Sequence, residues 1–517
     1  MRLLVLLLVL ALYPAVAYPH AKLVRSEPQA NASLKQAPKT IELWFNEALE
    51  HNFCAITVTD AGGNRVDENN LSFPEGDKQL KIELAELGPG TYTVEWRVLS
   101  ADQHSMKGSY VFTVASEVTP GASASPGQQG GTQNTGQTES SARQPSVAMS
   151  EPMQQSGSSW MHSLSRWLHH LAMMMLFGGF AFHLLVLEPS LRKSRGASDT
   201  DQAVAIESGS RRIILFSWLS LALLAVISLM ELILQAATAF DTSMRRALSP
   251  GLLNQVITQT GFGGSWLLQI LSIAALAIIL FYLSRRTKQE PSGNHKMLWW
   301  AGLIASAALF LAPAWTGHAA AAAKEYPFAT LTDWLHLVAG GFWVGGLFHL
   351  ALTLPAAISQ LKGRARLHVL HLVIPLFSRL AIASIILIVL TGLYNSWMHV
   401  DSFGKLWSTP YGKTLALKVL LVIPMLVLGG VNTFIIYPRA TRLLEEEEGV
   451  SEGSQPEKLS RSFSRSVKTE AALGDLVLLI AAILVFLQPA REHSVDPASG
   501  SKPPVITGIH GQQINDK

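Results

Sequence analysis

Cysteine is all but missing from this sequence. Cys54 is the one thiol, so no intramolecular disulfide and no all-cysteine metal site can form. Charge is scarce as well: Asp, Glu, Lys and Arg make up 15% of the 517 residues, against 49% hydrophobic residues. A soluble chain of this length carries more charge, so the balance points to membrane spans. The net charge of +3 is too small to argue for a nucleic-acid partner. Neither a phosphate-cradling loop nor a nucleophile constellation occurs, so ATP-driven transport is unsupported and the chain reads as a non-enzyme.

Sixteen His and thirteen Met remain as metal ligands. The chain opens on "MRLLVLLLVLALYPAVA", a basic residue, an apolar run and an Ala15-x-Ala17 ending, the pattern of a secretory signal peptide over residues 1–17. Residues 18–116 carry β patterning in "TIELWF", "FCAITVTD", "LKIEL", "TYTVEWRV" and "SYVFTV", separated by "DAGGN" and "LGPG". Tyr92, Val94, Trp96 and Val98 alternate with Thr93, Glu95 and Arg97, which predicts one buried and one wet face. Short strands in this number suggest an all-β, Ig-like sandwich. Residues 117–158 are dominated by Gly, Ser, Gln and Pro and read as a flexible tether.

From residue 159 to 490 come about eight apolar stretches of spanning length, near 164–187, 213–236, 264–283, 297–315, 332–354, 374–395, 414–436 and 470–489. Arg192, Lys193, Arg195, Arg211 and Arg212 follow the first, Arg285, Arg286, Lys288 and Lys296 the third, and Lys362, Arg364 and Arg366 the fifth. The intervening loops are poorer in basic residues. The positive-inside rule then puts the odd-to-even connections in the cytoplasm and both termini outside, including a tail of residues 491–517.

In "LSADQHSMKGSYVFTV", Asp102 and His104 lie two apart, and an extended segment puts both on one face. Imidazole with carboxylate suits Cu(II), Zn or Ni, and the softer Met106 suits Cu(I); a solvated polar loop is the competing reading. His20, near the start of the chain, and His51, ending "NEALEH", are further candidates, the latter against a plain exposed turn. Cys54 reads as a buried small residue rather than a ligand.

In the membrane part, His169/Met173 and His170/Met174 are i,i+4 pairs on the first helix. Ionisable or polar groups within a span are functional candidates, although Met runs also serve as packing. His318, Asp333, His336, His349, Met398 and His399 fall at or below one mouth, each alternatively an interfacial residue. Glu231, inside the second helix, has Lys418 of the seventh as a candidate partner, unless Lys418 snorkels. Glu470 and Asp475 lie on the eighth, and Gly340/Gly341 with Gly345/Gly346 give the fifth a small packing face.

"HAKLVRSEPQANASLKQAPKTIELWFNEALE" and "GTYTVEWRVLSADQHSMKGSYVFTV" resemble the CopC-type copper-binding domain. "TGHA", "DWLHLVAGGFWVGGL", "FSRLAIASIILIVLTGLYNSW", "TPYGKTLALKVLLV" and "GGVN" resemble the CopD-type copper-resistance membrane domain. Their order is similar to single-chain fusions associated with bacterial copper uptake. The resemblance implies a cupredoxin- or Ig-like β-domain binding Cu(II) through His20, Asp102 and His104, and a bundle that moves Cu(I) or Cu(II) inward. Family chains begin at the His itself; here Tyr18-Pro19 precede His20, and proline offers no N–H. Either the terminal amine is lost as a ligand or trimming exposes His20.

These observations converge on a bacterial plasma-membrane protein that captures copper outside and takes it up through an entrance made by the first, fifth and sixth helices. Two alternatives stay open: a haem-bearing electron-transfer protein that reduces the bound copper, and a sequestering module without flux.

Overall fold

The structure, a computed structural model, describes residues 23–74, 76–100, 105–115, 159–290, 295–316, 328–361, 363–400, 402–445, 455–485 and 487. Seven strands form the first part: β1 Leu23–Glu27, β2 Ser33–Leu34, β3 Thr40–Phe45, β4 Ala55–Thr59, β5 Gln79–Glu83, β6 Gly90–Leu99 and β7 Ser105–Val114. They make two sheets, β1-β3-β5 and β2-β7-β6-β4. Alternation decides the packing. Tyr92, Val94, Trp96 and Val98 of β6 point inward with Ile41, Leu43 and Phe45 of β3 and Leu80 and Ile82 of β5, as two facing sheets require. β6 and β7 are antiparallel in unbroken register from Gly90↔Val114 to Leu99↔Ser105. Residues 101–104, with Asp102 and His104, therefore connect the two longest strands at one end of the sandwich, and they lie outside the described residues. So do His20 and His318.

Among the described residues seven helices are long and apolar enough to cross a membrane: α1 Met161–Arg192, α2 Asp199–Ala239, α3 Gly261–Gln289, α4 Lys296–Trp315, α5 Ala329–Ala357, α6 Gly363–Met398 and α7 Pro410–Glu445. The expected eighth span corresponds to α8, Gln455–Leu484. It falls outside that group because Lys468, Glu470 and Asp475 crowd its apolar half. Its buried face, including Leu473, Leu476, Val477 and Ile480, joins the core of the bundle.

Position in the bundle follows from side-chain size and polarity. In the most apolar stretch of α1, 78% is buried, and of α5 67%, against 22% for α3 and α7 and 28% for α6. The outer helices turn Leu271, Ile278, Ile386, Leu393, Leu420 and Val427 outward, surface that only lipid would match. α1 and α5 cross where Gly178 meets Gly345, so closely that a Cβ on either would enter the other's backbone; only glycine permits this approach. α2 has 41 residues, about 60 Å of rise, twice the apolar core of a bilayer. Ser198 and Asp201 close its start as a capping box.

Three five-residue π turns interrupt the spans, at His183–Leu187 in α1, Gly341–Gly345 in α5 and Asn432–Ile436 in α7. Such turns shift the register of one helix face, and all three carry side chains that bear on the sites below.

The sandwich sits on the end of the bundle where α2 finishes and α3 begins, termed here the near end. Phe53 and Leu99 join Leu232, Ala236, Ala239, Ala247 and Val256 in one apolar cluster, and Phe53 meets Phe240 edge-on at 5.4 Å between ring centres. Around this patch Gly261 N–H donates to Glu50 Oε1 at 2.9 Å, and Lys107 Nζ lies 3.4 Å from Asp241 Oδ2. Burial pushes the Glu50 carboxyl above its ordinary value, against the opposing pull of the Gly261 N–H and His51.

Candidate metal centres

The end of the sandwich that carries the β6–β7 connection also carries His51. Glu50 N–H donates to Leu99 C=O at 2.8 Å, which brings His51 to the end of the sandwich where β6 stops. Its Nε2 contacts Asp77 Oδ1 at 3.0 Å, and its ring stacks on Phe73 at 3.8 Å. Both contacts hold the ring locally. Met106 goes elsewhere: paired with Val98 across the ladder, it is 5% exposed and part of the sandwich core, so its thioether is packing. Cys54 packs against the same core and donates to Glu50 C=O at 3.3 Å. Burial pushes its thiol up to about 12, which disfavours the thiolate form.

In the bundle the main near-end feature is a cavity of about 100 Å³ between α1, α2, α3 and α4. His169 and His170 line it together with Arg166, Glu231, Gln235 and Gln269. Nδ1 of His169 lies 3.1 Å from Glu231 Oε1, and Ser165 Oγ lies 3.5 Å from the same oxygen. Nδ1 of His170 contacts Arg166 C=O at 2.6 Å. A carboxylate and a carbonyl only accept, so each imidazole carries its proton on Nδ1 and keeps a lone pair on Nε2. The Nε2 of His169 is buried and has no hydrogen-bond partner, an arrangement that costs free energy unless a ligand fills it. The rings lie 6.2 Å apart. Two imidazoles, one backed by a carboxylate, form the kind of donor set that first-row transition metals such as copper take, with the carboxylate fixing tautomer and orientation.

This cavity lies among α1 to α4, not among the first, fifth and sixth helices as expected. Several other expectations are redistributed. Glu231 pairs with His169 rather than with Lys418; the charge of Lys418 acts on Asp333. Asp333 faces α7, whereas His336, one turn on, turns to α6 and contacts Thr391 Oγ1 at 2.9 Å. Met398 packs with Ala329 and Tyr394, and the side chain of His399 is outside the described residues. His349 lies deeper, wholly buried, with Thr353 Oγ1 and Met175 C=O on its two nitrogens. The expected single mouth is thus split between two helix interfaces. Met173 and Met174 are fully buried in the core, Met174 against Gly340 of α5, which gives them packing roles.

Two polar groups stand out beyond these. Glu470 is buried where Trp343 and Asn432, each inside a π turn, both donate to it, Asn432 Nδ2 at 3.4 Å; Asp475 accepts from Trp167 Nε1 at 3.1 Å. His183 was missed altogether. It is 3% exposed, stacks on Trp299 at 3.6 Å, and presents Nε2 to Glu188 Oε2 at 3.6 Å. The signal was present in principle: an ionisable residue inside the first span, followed five residues later by a carboxylate. In an α-helix residues five apart diverge, but the π turn returns Glu188 N–H to His183 C=O and brings them together. Among the described residues no group of three or more His, Cys, Asp or Glu could hold a metal ion, so each centre offers pairs of donors.

A two-sheet sandwich seated on a polar-lined helical bundle defines a multi-span membrane protein, and the comparisons add its cargo. Residues 23–115 match the CopC domain, 153–326 the N-terminal domain of copper resistance protein D-like proteins, and 371–484 copper resistance protein D. The chain is 27% identical to copper transport protein CutJ of Bacillus subtilis (strain 168) over 95% of its own length and 79% of that protein's. It is 40% identical to protein YobA of Escherichia coli (strain K12) over 19% of its own length and 80% of that protein's. The crystal structure of CopC from Methylosinus trichosporium OB3b aligns at 30% identity, covering 19% of this chain and 98% of that one, with a TM-score of 0.18. The class is therefore that of copper-resistance and copper-transport membrane proteins. Within it, this chain belongs to the family in which a CopC domain is followed by CopD-type membrane domains.

Proposed function

We propose that this protein captures copper outside the plasma membrane with its β-sandwich and passes it through the bundle into the cell. In this reading residues 1–17 are a leader, 18–116 the capture domain, 117–158 a tether, 159–490 the bundle and 491–517 an outer tail. The near end faces outward, in keeping with the Arg- and Lys-rich loops at the opposite end. His20, Asp102 and His104 are the capture ligands for Cu(II), and His169 and His170 receive the ion in the bundle.

The observation that carries this reading is the junction between the two parts. Leu99, the last residue of β6 before the segment with Asp102 and His104, shares one apolar cluster with Phe262 and Trp266. Phe262 and Trp266 also line the cavity of His169 and His170. A capture loop anchored at Leu99 therefore starts within one side-chain layer of the receiving pocket. Short transfer distance and a dry junction favour handing over an ion rather than releasing it to water. Among the described residues no ligand set richer than a pair is found along the bundle, which suits conduction, where binding must be weak enough to leave.

The test is copper flux into liposomes carrying the full chain, oriented with the sandwich outside. Uptake is expected in the wild type and loss of at least tenfold in Asp102→Ala, His104→Ala and His169→Asn. Flux in the opposite orientation alone reverses the direction. Unchanged flux in all three variants, or a haem absorption band in the purified protein, removes the reading.

A further inference from the structure

The far end of the bundle holds the larger cavity, about 330 Å³, between α1, α2, α3 and α4 and distinct from the one that holds His169. His183 and His295 both line it. Nε2 of His295 contacts Glu290 C=O at 3.0 Å, and Nε2 of His183 faces the Glu188 carboxylate. A carbonyl and a carboxylate both draw the proton to Nε2, so the lone pair of each imidazole falls on Nδ1. The Nδ1 of His183 is buried without a hydrogen-bond partner, as is Oγ1 of Thr287 in the same lining. Trp299 N–H donates to His295 C=O one turn along, and the Trp299 ring is the one stacked on His183. The two histidines therefore approach the cavity along one face of α4.

What such a cavity would take follows from what it leaves unsatisfied. The unused lone pair of His183 accepts and does not donate, so it does not suit an anion. The charges in the lining balance, Glu188 and Asp199 against Arg192 and Lys296, and Glu188 is itself held by Arg192 Nε at 2.7 Å. A carboxylate behind a histidine whose other nitrogen is unused is the arrangement that orients a metal ligand. We propose that the far-end cavity is a second copper site, with Nδ1 of His183 and Nδ1 of His295 as ligands, Glu188 orienting His183, and that it holds the copper ion before release. This rests on the reading of the bundle as a copper path, and places a station about 21 Å of helix rise beyond His169 on the same helix.

The test is Cu(I) titration of the full-length protein in detergent under ascorbate, against a competing chelator, for the wild type, His169→Asn, His183→Asn, His295→Asn and the His183→Asn/His295→Asn pair. Each far-end variant is expected to lose one equivalent, and the pair to lose that same one and no more. His169→Asn loses a different equivalent, and Glu188→Gln weakens the far-end ion about 10–100-fold. X-ray absorption on Cu(I)-loaded His169→Asn protein should show imidazole scattering that falls when His183→Asn is added. Full stoichiometry in His183→Asn and His295→Asn overturns the site. If His169→Asn still loses its equivalent in that case, the bundle reading survives; if no variant loses copper, both fall. Should His183→Asn fail to purify as a single species, His295→Asn, at the half-exposed start of α4, decides alone.

Discussion

At its near end α1 pairs a histidine with a carboxylate from another helix, His169 with Glu231 of α2 at 3.1 Å. At its far end it pairs His183 with its own Glu188, at 3.6 Å, and Arg192 competes for that carboxylate. The first pair exists only if α1 and α2 are correctly docked, and it is short enough to be a charge-assisted hydrogen bond. The second is made within one π turn and is looser than a hydrogen bond. Geometry of this kind would hold an ion more firmly at the near end of the bundle than at the far end. It also means that tertiary changes should damage the near end before the far end.

The largest effect is expected from breaking what both ends share. Gly178→Leu drives a side chain into the backbone of Gly345, an overpacking that costs about 3 kcal/mol or more. The bundle should fail to run as a single species on size exclusion, whereas Gly264→Leu, with open space beside it, should behave as wild type. Next comes Glu231→Gln. It keeps the shape of the near pair but removes the charge behind His169, and should weaken copper at the near end about 10–100-fold. Copper retained at the far end in the same titration would show that the two pairs are independent.

Smaller effects concern the supply to the near end. Phe53→Ala removes an aromatic from the cluster that joins sandwich and bundle, at a cost of about 1–3 kcal/mol in docking. Protease cleavage between residues 117 and 158, followed by a pull-down, would measure how well the sandwich then stays on the bundle. The smallest effect is a pH dependence. The docked Glu50 carboxyl lies above its ordinary value, so its contribution to docking is full below the ordinary carboxylate range. That contribution is lost as pH rises through the elevated value. Docking should thus tighten modestly as pH falls from neutral toward the ordinary carboxylate range, and Glu50→Gln should abolish the change.

Much of this was legible from the amino acids. The strand β3 coincides with "TIELWF", because alternation of large apolar residues leaves one arrangement that buries them. Eight spans were read from run length, and among the described residues seven of them correspond to helices long and apolar enough to cross a membrane, the eighth to α8 with its crowded charges. His169 and His170 stood out in an apolar run, and both line one cavity. Other assignments failed for identifiable reasons. Met106 looked like a soft ligand beside Asp102 and His104, but the unbroken β6–β7 register turns it into the core. Asp333 and His336 were expected at one mouth, yet His336 contacts Thr391 of α6 while Asp333 feels the charge of Lys418 on α7.

The sequence by itself determined the order of parts, since burial of apolar side chains and the length of a bilayer act on local composition. It also limited the metal chemistry to imidazole, carboxylate and thioether donors by supplying one cysteine. Only the tertiary structure decided which groups meet. Glu231 had Lys418 or a histidine to choose from, and the glycine-tight crossing of α1 with α5 and its packing on α2 gave it His169. His183 and Glu188 face one another because one extra residue is accommodated in a turn of α1, a register change that helical periodicity in the sequence does not register. Pairing of charges in a low-dielectric interior depends on ångström-scale approach, and that approach is set by packing rather than by spacing along the chain.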